Sequence, residues 1–114
     1  MSYHIKVNLD KFDYAFKFKQ SNTNQFIARS IKKKYEGEFF TEEPIFVKIT
    51  LVERKKNVLE GQHCIETSNL VALTQSVLDS LQYICFQSLT QVVEIRVVRV
   101  TGLRKALEIE VIGL

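Results

Sequence analysis

The chain has 114 residues, a formal net charge of +3 and 46% hydrophobic residues, with 4 glycines and 1 proline. A chain of this size buries roughly two thirds of the surface of its unfolded form, so one core is feasible and a disordered or fibrous class is excluded. No apolar run reaches the ~20 residues that span a membrane, and the N-terminus lacks the apolar core of a signal peptide. We therefore expect a single domain, residues 1–114, in a soluble cytoplasmic protein without a membrane partner.

Residues 3–19 alternate between apolar and polar side chains, which is the period of half-buried strands. The alternation continues on both sides of Asp10 and Lys11. It predicts either a strand pair that turns at this dipeptide or one long bent strand, because the dipeptide lacks the glycine of the best two-residue turns. The predicted outer face is rich in lysine.

A polar break at residues 21–24 precedes the first predicted helix. Asn22 and Gln25 have the spacing of a capping box. Gly37 marks the end of the helix, as glycine often does after a last turn. The apolar stripe at helical spacing consists of Phe26, Ile27, Ile31 and Tyr35.

Alternation returns over residues 45–52, and Pro44 suits the first position of a strand. Both faces of this segment are half apolar, which predicts a fairly central strand with a helix on one side. Residues 53–64 form the longest irregular stretch, in which Gly61 marks a turn.

Residues 67–85 predict the central core helix, because one face is apolar at helical spacing. Thr67 or Ser68 suits the N-cap, where a hydroxyl accepts a hydrogen bond from the first turn. The positive end of the helix dipole lies there and favours anions or metal-bound phosphate, so this end is the first candidate site. The predicted stripe is Leu70, Leu73, Val77, Leu81 and Ile84.

Two further strands are predicted at residues 92–100 and 106–112. Val97 can pair with Leu107 or with Ile109, since both registers leave the same faces apolar. The complete order is β-β-α-β-α-β-β. It predicts an α+β domain with a mixed β-sheet and two helices packed on it.

Three stretches of the C-terminal part carry a family resemblance. They read Glu66-Thr67-Ser68-Asn69-Leu70, then Val77-Leu78-Asp79-Ser80-Leu81, then Gln91-Val92-Val93-Glu94 leading into Arg96-Val97-Val98. In order and spacing they resemble the RusA-type Holliday junction resolvases. That family has Asp-x-Asp-Asn-Leu at the start of a helix, Asp-Ala-Leu later on it, and Asp-Asp-x-Gln-Val before the next strand. The resemblance covers the last third of the chain and, more loosely, the strand before it.

The resemblance implies a RusA-like, homodimeric, magnesium-dependent endodeoxyribonuclease of prophages and other mobile elements, acting in DNA recombination and repair. In the family, acidic residues hold the metal and a lysine lies one turn into the helix. Here Glu66 matches the first acid, whereas the other positions hold Ser68, Ala72 and the pair Ser88 and Leu89. Because magnesium requires hard oxygen ligands, usually including carboxylates, these departures predict a nuclease that is lost or strongly weakened.

Asn69, Asp79 and Gln91 match the family, although helix polarity and local hydrogen bonding explain all three as well. The candidate catalytic residues are Glu66 and Asp79. Glu66 is also the candidate metal ligand, although the helix dipole by itself favours an acid there. No cofactor is expected unless the nuclease is active, in which case it is magnesium.

The resemblance and the basic residues together predict binding to branched or structured DNA. The predicted DNA-binding residues are Lys32, Lys33, Lys34, Arg54, Lys55, Lys56, Asn69, Arg99, Arg104 and Lys105. Favourable interaction with a helix C-terminus and ordinary solvation explain the same basic runs. Two alternatives stay open: a protein-binding or structural module on the resolvase scaffold, and an active endonuclease with a substituted metal site.

A zinc site would have to use His4, His63, Cys64 and Cys85, but none of them has the paired spacing of zinc ligands. We expect loop histidines and reduced, buried cysteines instead.

Overall fold

The computed structural model describes residues 2–8, 20–54, 61–63 and 69–114. In this part of the chain the elements are β1 (Ser2–Asn8), α1 (Gln20–Lys34), β2 (Ile45–Arg54), α2 (Leu70–Leu81), β3 (Val92–Gly102) and β4 (Ala106–Gly113). A 3-10 turn, Leu89–Gln91, leads into β3. The predicted α+β class with a mixed sheet and two helices is confirmed. The second half of the N-terminal alternation, residues 9–19, lies outside the described residues.

The four strands form one sheet in the order β1-β4-β2-β3. β2 pairs with β3 in parallel and with β4 in antiparallel orientation, and β4 pairs with β1 in antiparallel orientation. The prediction that residues 45–52 form a central strand is confirmed, since β2 has a partner on each edge.

β3 and β4 do not pair with each other, because β2 lies between them. Ile49 of β2 faces both Val97 of β3 and Ile109 of β4. Both predicted registers assumed a direct β3–β4 hairpin and are therefore wrong. Alternation of side chains decides which face of a strand is buried, but it carries no information about which strand lies next to it.

One face of the sheet and the two helices enclose the core. Its fully buried strand residues are Ile45, Val47, Ile49, Leu51, Leu107, Ile109 and Val111. α1 contributes Ile27 and Ile31, and α2 contributes Leu73, Val77 and Leu81, as their predicted stripes require. Burial stabilises each such side chain by about 1.5–3 kcal/mol. Neither helix of the described residues is long and apolar enough to cross a membrane.

The first helix begins at Gln20, before the predicted start at Asn22. Residues 21–24 are therefore helical and not a break. The low helix propensity of residues 21–24 disfavours a helix only slightly. The burial of Ile27 and Ile31 in the core favours it more strongly.

The second helix is shorter than predicted at both ends. Its N-cap is Asn69, in place of Thr67 or Ser68. At the other end, Gln82 is extended and Tyr83 has a φ of 68°, so the chain leaves the helix after Leu81.

Ile84 and Cys85 consequently lie in a turn and not in the helix. Their backbone N–H groups both donate to the carbonyl of Leu81, at 3.1 and 2.8 Å. Both side chains still reach the core, which explains why their spacing fits a helical stripe.

Gln91 connects the start of β3 to the loop that precedes β2. Its Nε2 donates to the carbonyls of Phe40 (3.0 Å) and Glu43 (3.1 Å). Its Oε1 accepts from the backbone N–H groups of Gln87 (2.9 Å) and Ser88 (2.8 Å). The buried carboxamide thus serves four backbone groups, and local hydrogen bonding explains its presence, as the sequence suggested.

Gln91→Leu should lower the free energy of unfolding by about 2–4 kcal/mol, because backbone groups in a buried region lose their partners. Gln75, which donates to Asp79 across one turn of α2 at 2.8 Å, provides the control. Gln75→Leu should change the same quantity by less than about 0.5 kcal/mol. Urea unfolding followed by circular dichroism measures both, and equal effects would contradict the role given to Gln91.

Candidate nucleic-acid interface

The predicted site at the start of α2 is described from Asn69 onward, and Glu66 lies outside the described residues. Asn69 Oδ1 accepts hydrogen bonds from the backbone N–H groups of Val71 (2.9 Å) and Ala72 (3.2 Å). The carboxamide oxygen of Asn69 is therefore already engaged in capping the helix. Only the Nδ2 amide, which is a donor, remains suitable for a phosphate oxygen.

Asp79 lies on the exposed face of α2, far from the capped end. It follows Asn69 by ten residues, which corresponds to about 15 Å along a helix axis. Its carboxylate accepts a hydrogen bond from Gln75 Nε2 at 2.8 Å. The structure thus places this candidate catalytic residue away from the helix N-terminus on which the predicted site is centred.

Ser88 and Leu89 stand where the family resemblance implies an acidic pair. Ser88 is the N-cap of the 3-10 turn, and its Oγ accepts from the Thr90 N–H at 3.3 Å. Leu89 is a partly exposed apolar residue of the same turn. This position therefore forms the start of the 3-10 turn before β3 and offers no carboxylate.

A buried charge cluster lies at the end of the core face of the sheet. Glu53 is only 5% exposed. Its Oε1 lies 3.8 Å from Arg99 Nε, and its Oε2 lies 3.5 Å from Lys105 Nζ. Two residues predicted to contact DNA are thus ion-paired with an interior carboxylate.

Glu53 lies in β2, whereas the sequence predicted an irregular loop from this residue onward. β2 continues to Arg54, and Glu53 occupies the next buried position after Ile49 and Leu51. The alternation of β2 continues to Glu53, and an acid stands there in place of the expected apolar residue. This pattern in the sequence indicates that Glu53 is buried. A buried acid on a strand requires a charged partner, so this pattern predicts basic residues next to Glu53 in the fold.

A groove of about 630 Å³ opens where β2 and β3 end and β4 begins. Lys6, Arg104, Lys105 and Glu108 are among its lining residues, so three cations and one carboxylate surround it. Lys6 was not among the predicted DNA-binding residues. It was missed because it lies about a hundred residues away in sequence from the turn that carries Arg104.

The wall of the groove depends on a glycine. A Cβ at Gly102 would lie 2.4 Å from Val52 Cγ1, so a side chain there would force the two strands apart. Gly102 is also the register partner of Arg54, which is exposed. Arg54 therefore lies at the same end of the sheet as Arg104.

The basic end of α1 is joined to this region through β1. Lys34 Nζ donates to the backbone carbonyl of Lys6 at 2.5 Å. Lys32, Lys33 and Lys34 are exposed. We define the basic side of the molecule as Lys6, Lys32, Lys33, Lys34, Arg54 and Arg104. Lys55 and Lys56 lie outside the described residues.

Cys85 is a buried free thiol, as predicted. Burial raises its pKa from 9.0 to about 12, and a hydrogen bond with the Tyr35 side chain opposes this shift. His63 is exposed, and its backbone lies beside Val100 of β3. Among the described residues, no three His, Cys, Asp or Glu side chains are grouped closely enough to hold a metal ion.

No protein-family model matches the chain, and no curated protein matches its sequence. The likeness to RusA-type resolvases therefore stands on the quoted residues, and function has to be argued from those residues and from the geometry of the molecule.

Glu53→Gln should lower the free energy of unfolding by about 3 kcal/mol, because it removes the carboxylate that balances Arg99 and Lys105 in a largely buried position. Glu36→Gln removes the same charge at an exposed loop position and should change stability by less than about 0.5 kcal/mol. Thermal and urea unfolding of the two variants measure the difference. If Glu53→Gln were as stable as Glu36→Gln, the ion cluster would be energetically unimportant.

Native Cys85 should resist thiol reagents at pH 8, because a thiol with a pKa near 12 is protonated there. The pKa of the Cys85 thiol is higher in the folded protein than in the unfolded one. The protonated thiol therefore makes its full contribution to the free energy of unfolding below pH 9. Above it, unfolding releases a proton, and stability falls by up to about 1.4 kcal/mol per pH unit until about pH 12.

The measurement uses Cys64→Ser and a chromogenic disulfide reagent. Cys85 should react only as fast as the protein unfolds, and urea should accelerate the reaction. Rapid stoichiometric labelling of the folded variant at pH 8 would show that the thiol is accessible.

Proposed function

We propose that this chain is a RusA-like domain, of phage or mobile-element origin, that binds branched or structured DNA as a homodimer and has lost most or all nuclease activity. The observation that carries the proposal is the basic side. Its residues come from β1, α1, the end of β2 and the β3–β4 connection, which are far apart in sequence. Their convergence at one end of the sheet creates a surface suited to several phosphates at once.

The division of the cations supports the same proposal. Arg99 and Lys105 face the carboxylate of Glu53, which offsets part of their charge, although Lys105 also lines the groove. Arg54, Arg104 and the lysines of α1 face solvent. Exposed arginine and lysine side chains release counterions when they contact phosphates, which is the main source of affinity in sequence-independent DNA binding.

The positions of the motif residues support a resolvase-like scaffold. Asn69 begins α2, Asp79 lies within it, and Gln91 precedes β3. β2 and β3, which flank α2 in sequence, are parallel neighbours in the sheet. The described parts of the three stretches therefore belong to one β-α-β unit, in which Asn69 precedes the helix and Gln91 precedes the second strand.

The substituted acidic positions support loss of the nuclease. Ser88 caps a turn, Leu89 is apolar, and Ala72 takes the position of the family lysine. Glu66 would be the ligand for magnesium if any cleavage survives, and a single carboxylate is a poor site for that ion. An endonuclease with a substituted site is the alternative that a cleavage assay addresses.

A protein-binding module is the second candidate function, and β3 favours it. Val93 is 61% exposed and Ile95 is 44% exposed on this strand. Exposed β-branched residues on a sheet edge are typical of protein interfaces, and their side chains offer a phosphate neither a charge nor a hydrogen-bond donor.

The proposal predicts binding to a four-way DNA junction, and to a lesser degree to duplex, in gel shifts at low salt with a chelator present. Lys33→Ala/Arg104→Ala should weaken binding at least about tenfold and reduce the slope of log affinity against log salt by about two, since each lost phosphate contact contributes nearly one. Lys48→Ala is the control. It removes a cation about 20 Å from Arg54 along β2 and should leave the affinity within a factor of about two.

The same reactions with magnesium or manganese separate the candidates. Binding without cleavage supports the proposal. Metal-dependent nicking that Glu66→Gln abolishes would identify an active nuclease. No binding at low salt would reject DNA as the partner and favour the protein-binding module.

A further inference from the structure

Within the described part of the chain, the outer edge of β3 has no strand partner over most of its length. One edge pairs with β2. Among the described residues, the other edge is contacted by residues 61–63 only at its C-terminal end. There Gly61 N–H donates to Thr101 O, and Thr101 N–H donates to Gln62 O, both at 2.8 Å. From Val92 to Val98 no other described residue pairs with this edge.

The exposed stretch is apolar. Val93 and Ile95 are the exposed apolar residues of the strand, and Leu89, in the turn before it, is 37% exposed. An edge of this kind is a template for pairing with another strand, and proteins that leave it open usually have a partner for it.

The hydrogen bonds of Thr101 define which residues of β3 can accept such a partner. Both the N–H and the C=O of Thr101 point away from β2, toward residues 61 and 62. Successive residues of a strand present these groups on opposite edges, so every second residue shares the orientation of Thr101. Counting back in twos, Val97 and Ile95 also point their backbone groups outward.

The charges beside Ile95 are self-complementary. Glu94 and Arg96 are both exposed and flank it on the open face of the sheet. If a second copy runs antiparallel with the two-fold axis at Ile95, Glu94 of each copy lies opposite Arg96 of the other. Because Ile95 then forms the hydrogen-bonded pair, Glu94 and Arg96 occupy the adjacent non-hydrogen-bonded pairs, in which side chains are closest.

We propose that the outer edge of β3 is a homodimer interface in which two copies pair antiparallel about Ile95. Val97 of each copy then approaches the segment at Val93 of the other, where the register of β3 with β2 shifts, so the exposed apolar residues come together across the axis. The sheet becomes continuous across the dimer, and the two-fold axis closes the assembly. The inference rests on the homodimer of the proposed function and gives it an interface, but its evidence is β3 alone, so a failure of the charge exchange would overturn the interface and leave the DNA binding standing.

Neighbouring registers lack this complementarity. With the axis at Val97, Arg96 lies opposite Val98 and Ile95 opposite Arg99. With the axis at Val93, Glu94 lies opposite Val92. These registers all place the two-fold axis at a residue whose backbone groups point outward. Of the three, only the register with the axis at Ile95 places Glu94 of one copy opposite Arg96 of the other.

A charge exchange tests the register. Wild-type protein at a concentration on the order of 50 µM should have the mass of two chains in sedimentation and light scattering. Glu94→Arg and Arg96→Glu each place like charges opposite each other twice in the dimer, and each should raise the dimer Kd at least about tenfold. Glu94→Arg/Arg96→Glu restores both pairs and should return the Kd to within about threefold of wild type.

Glu42→Arg makes the same charge change in an exposed loop and should leave the Kd unchanged. A wild-type monomer at this concentration would overturn the proposal. So would a dimer that tolerates both single reversals, or one that the double exchange does not recover.

Cross-linking provides a second measurement. Hydrogen-bonded antiparallel residues have Cα atoms about 5.5 Å apart, within the range of a disulfide. Ile95→Cys in the Cys64→Ser background should therefore form a covalent dimer under mild oxidation. Leu103→Cys in the same background is 76% exposed but lies in the β3–β4 connection, and it should not. Equal cross-linking of the two variants would reject the two-fold axis at Ile95.

Discussion

The structure depends on β2, which is enclosed from three directions. Its edges pair with β3 and β4, and its odd-numbered residues from Ile45 to Leu51 are fully buried beneath the helices. Because β2 takes the central position, β3 and β4 cannot form a hairpin, and their connection has to cross its end. That crossing brings Arg104 beside Arg54 and Lys6. The proposed DNA surface is thus a consequence of where the central strand lies.

The same strand divides the basic residues into two groups. Glu53, on the buried face of β2, holds Arg99 and Lys105 by ion pairs at the boundary of the core. Arg54, one residue later, points to the other face and is exposed. A count of net charge treats these cations as equivalent, but only the second group can contact a phosphate backbone and displace its condensed counterions at little cost to the fold.

Two of the residues that match the resolvase motifs, Asn69 and Gln91, are ones that the fold itself uses. Asn69 caps α2, and Gln91 satisfies four backbone groups at the start of β3. Among the positions that depart from the motifs, Ser88 caps the 3-10 turn, whereas the side chains of Ala72 and Leu89 have no hydrogen-bonding group. The hydrogen bonds of Asn69 and Gln91 contribute to stability, so the proposed loss of metal chemistry would leave these two residues with a structural role.

The sequence by itself determined the α+β class, the central strand, the buried stripes of both helices and the buried thiol of Cys85, because periodicity and burial are local properties of the chain. Only the tertiary structure decided that β2 separates β3 from β4, that Glu53 lies inside and that Lys6 joins the basic side. These features depend on which segments become neighbours, and a side-chain pattern of period two is identical for every choice of neighbour.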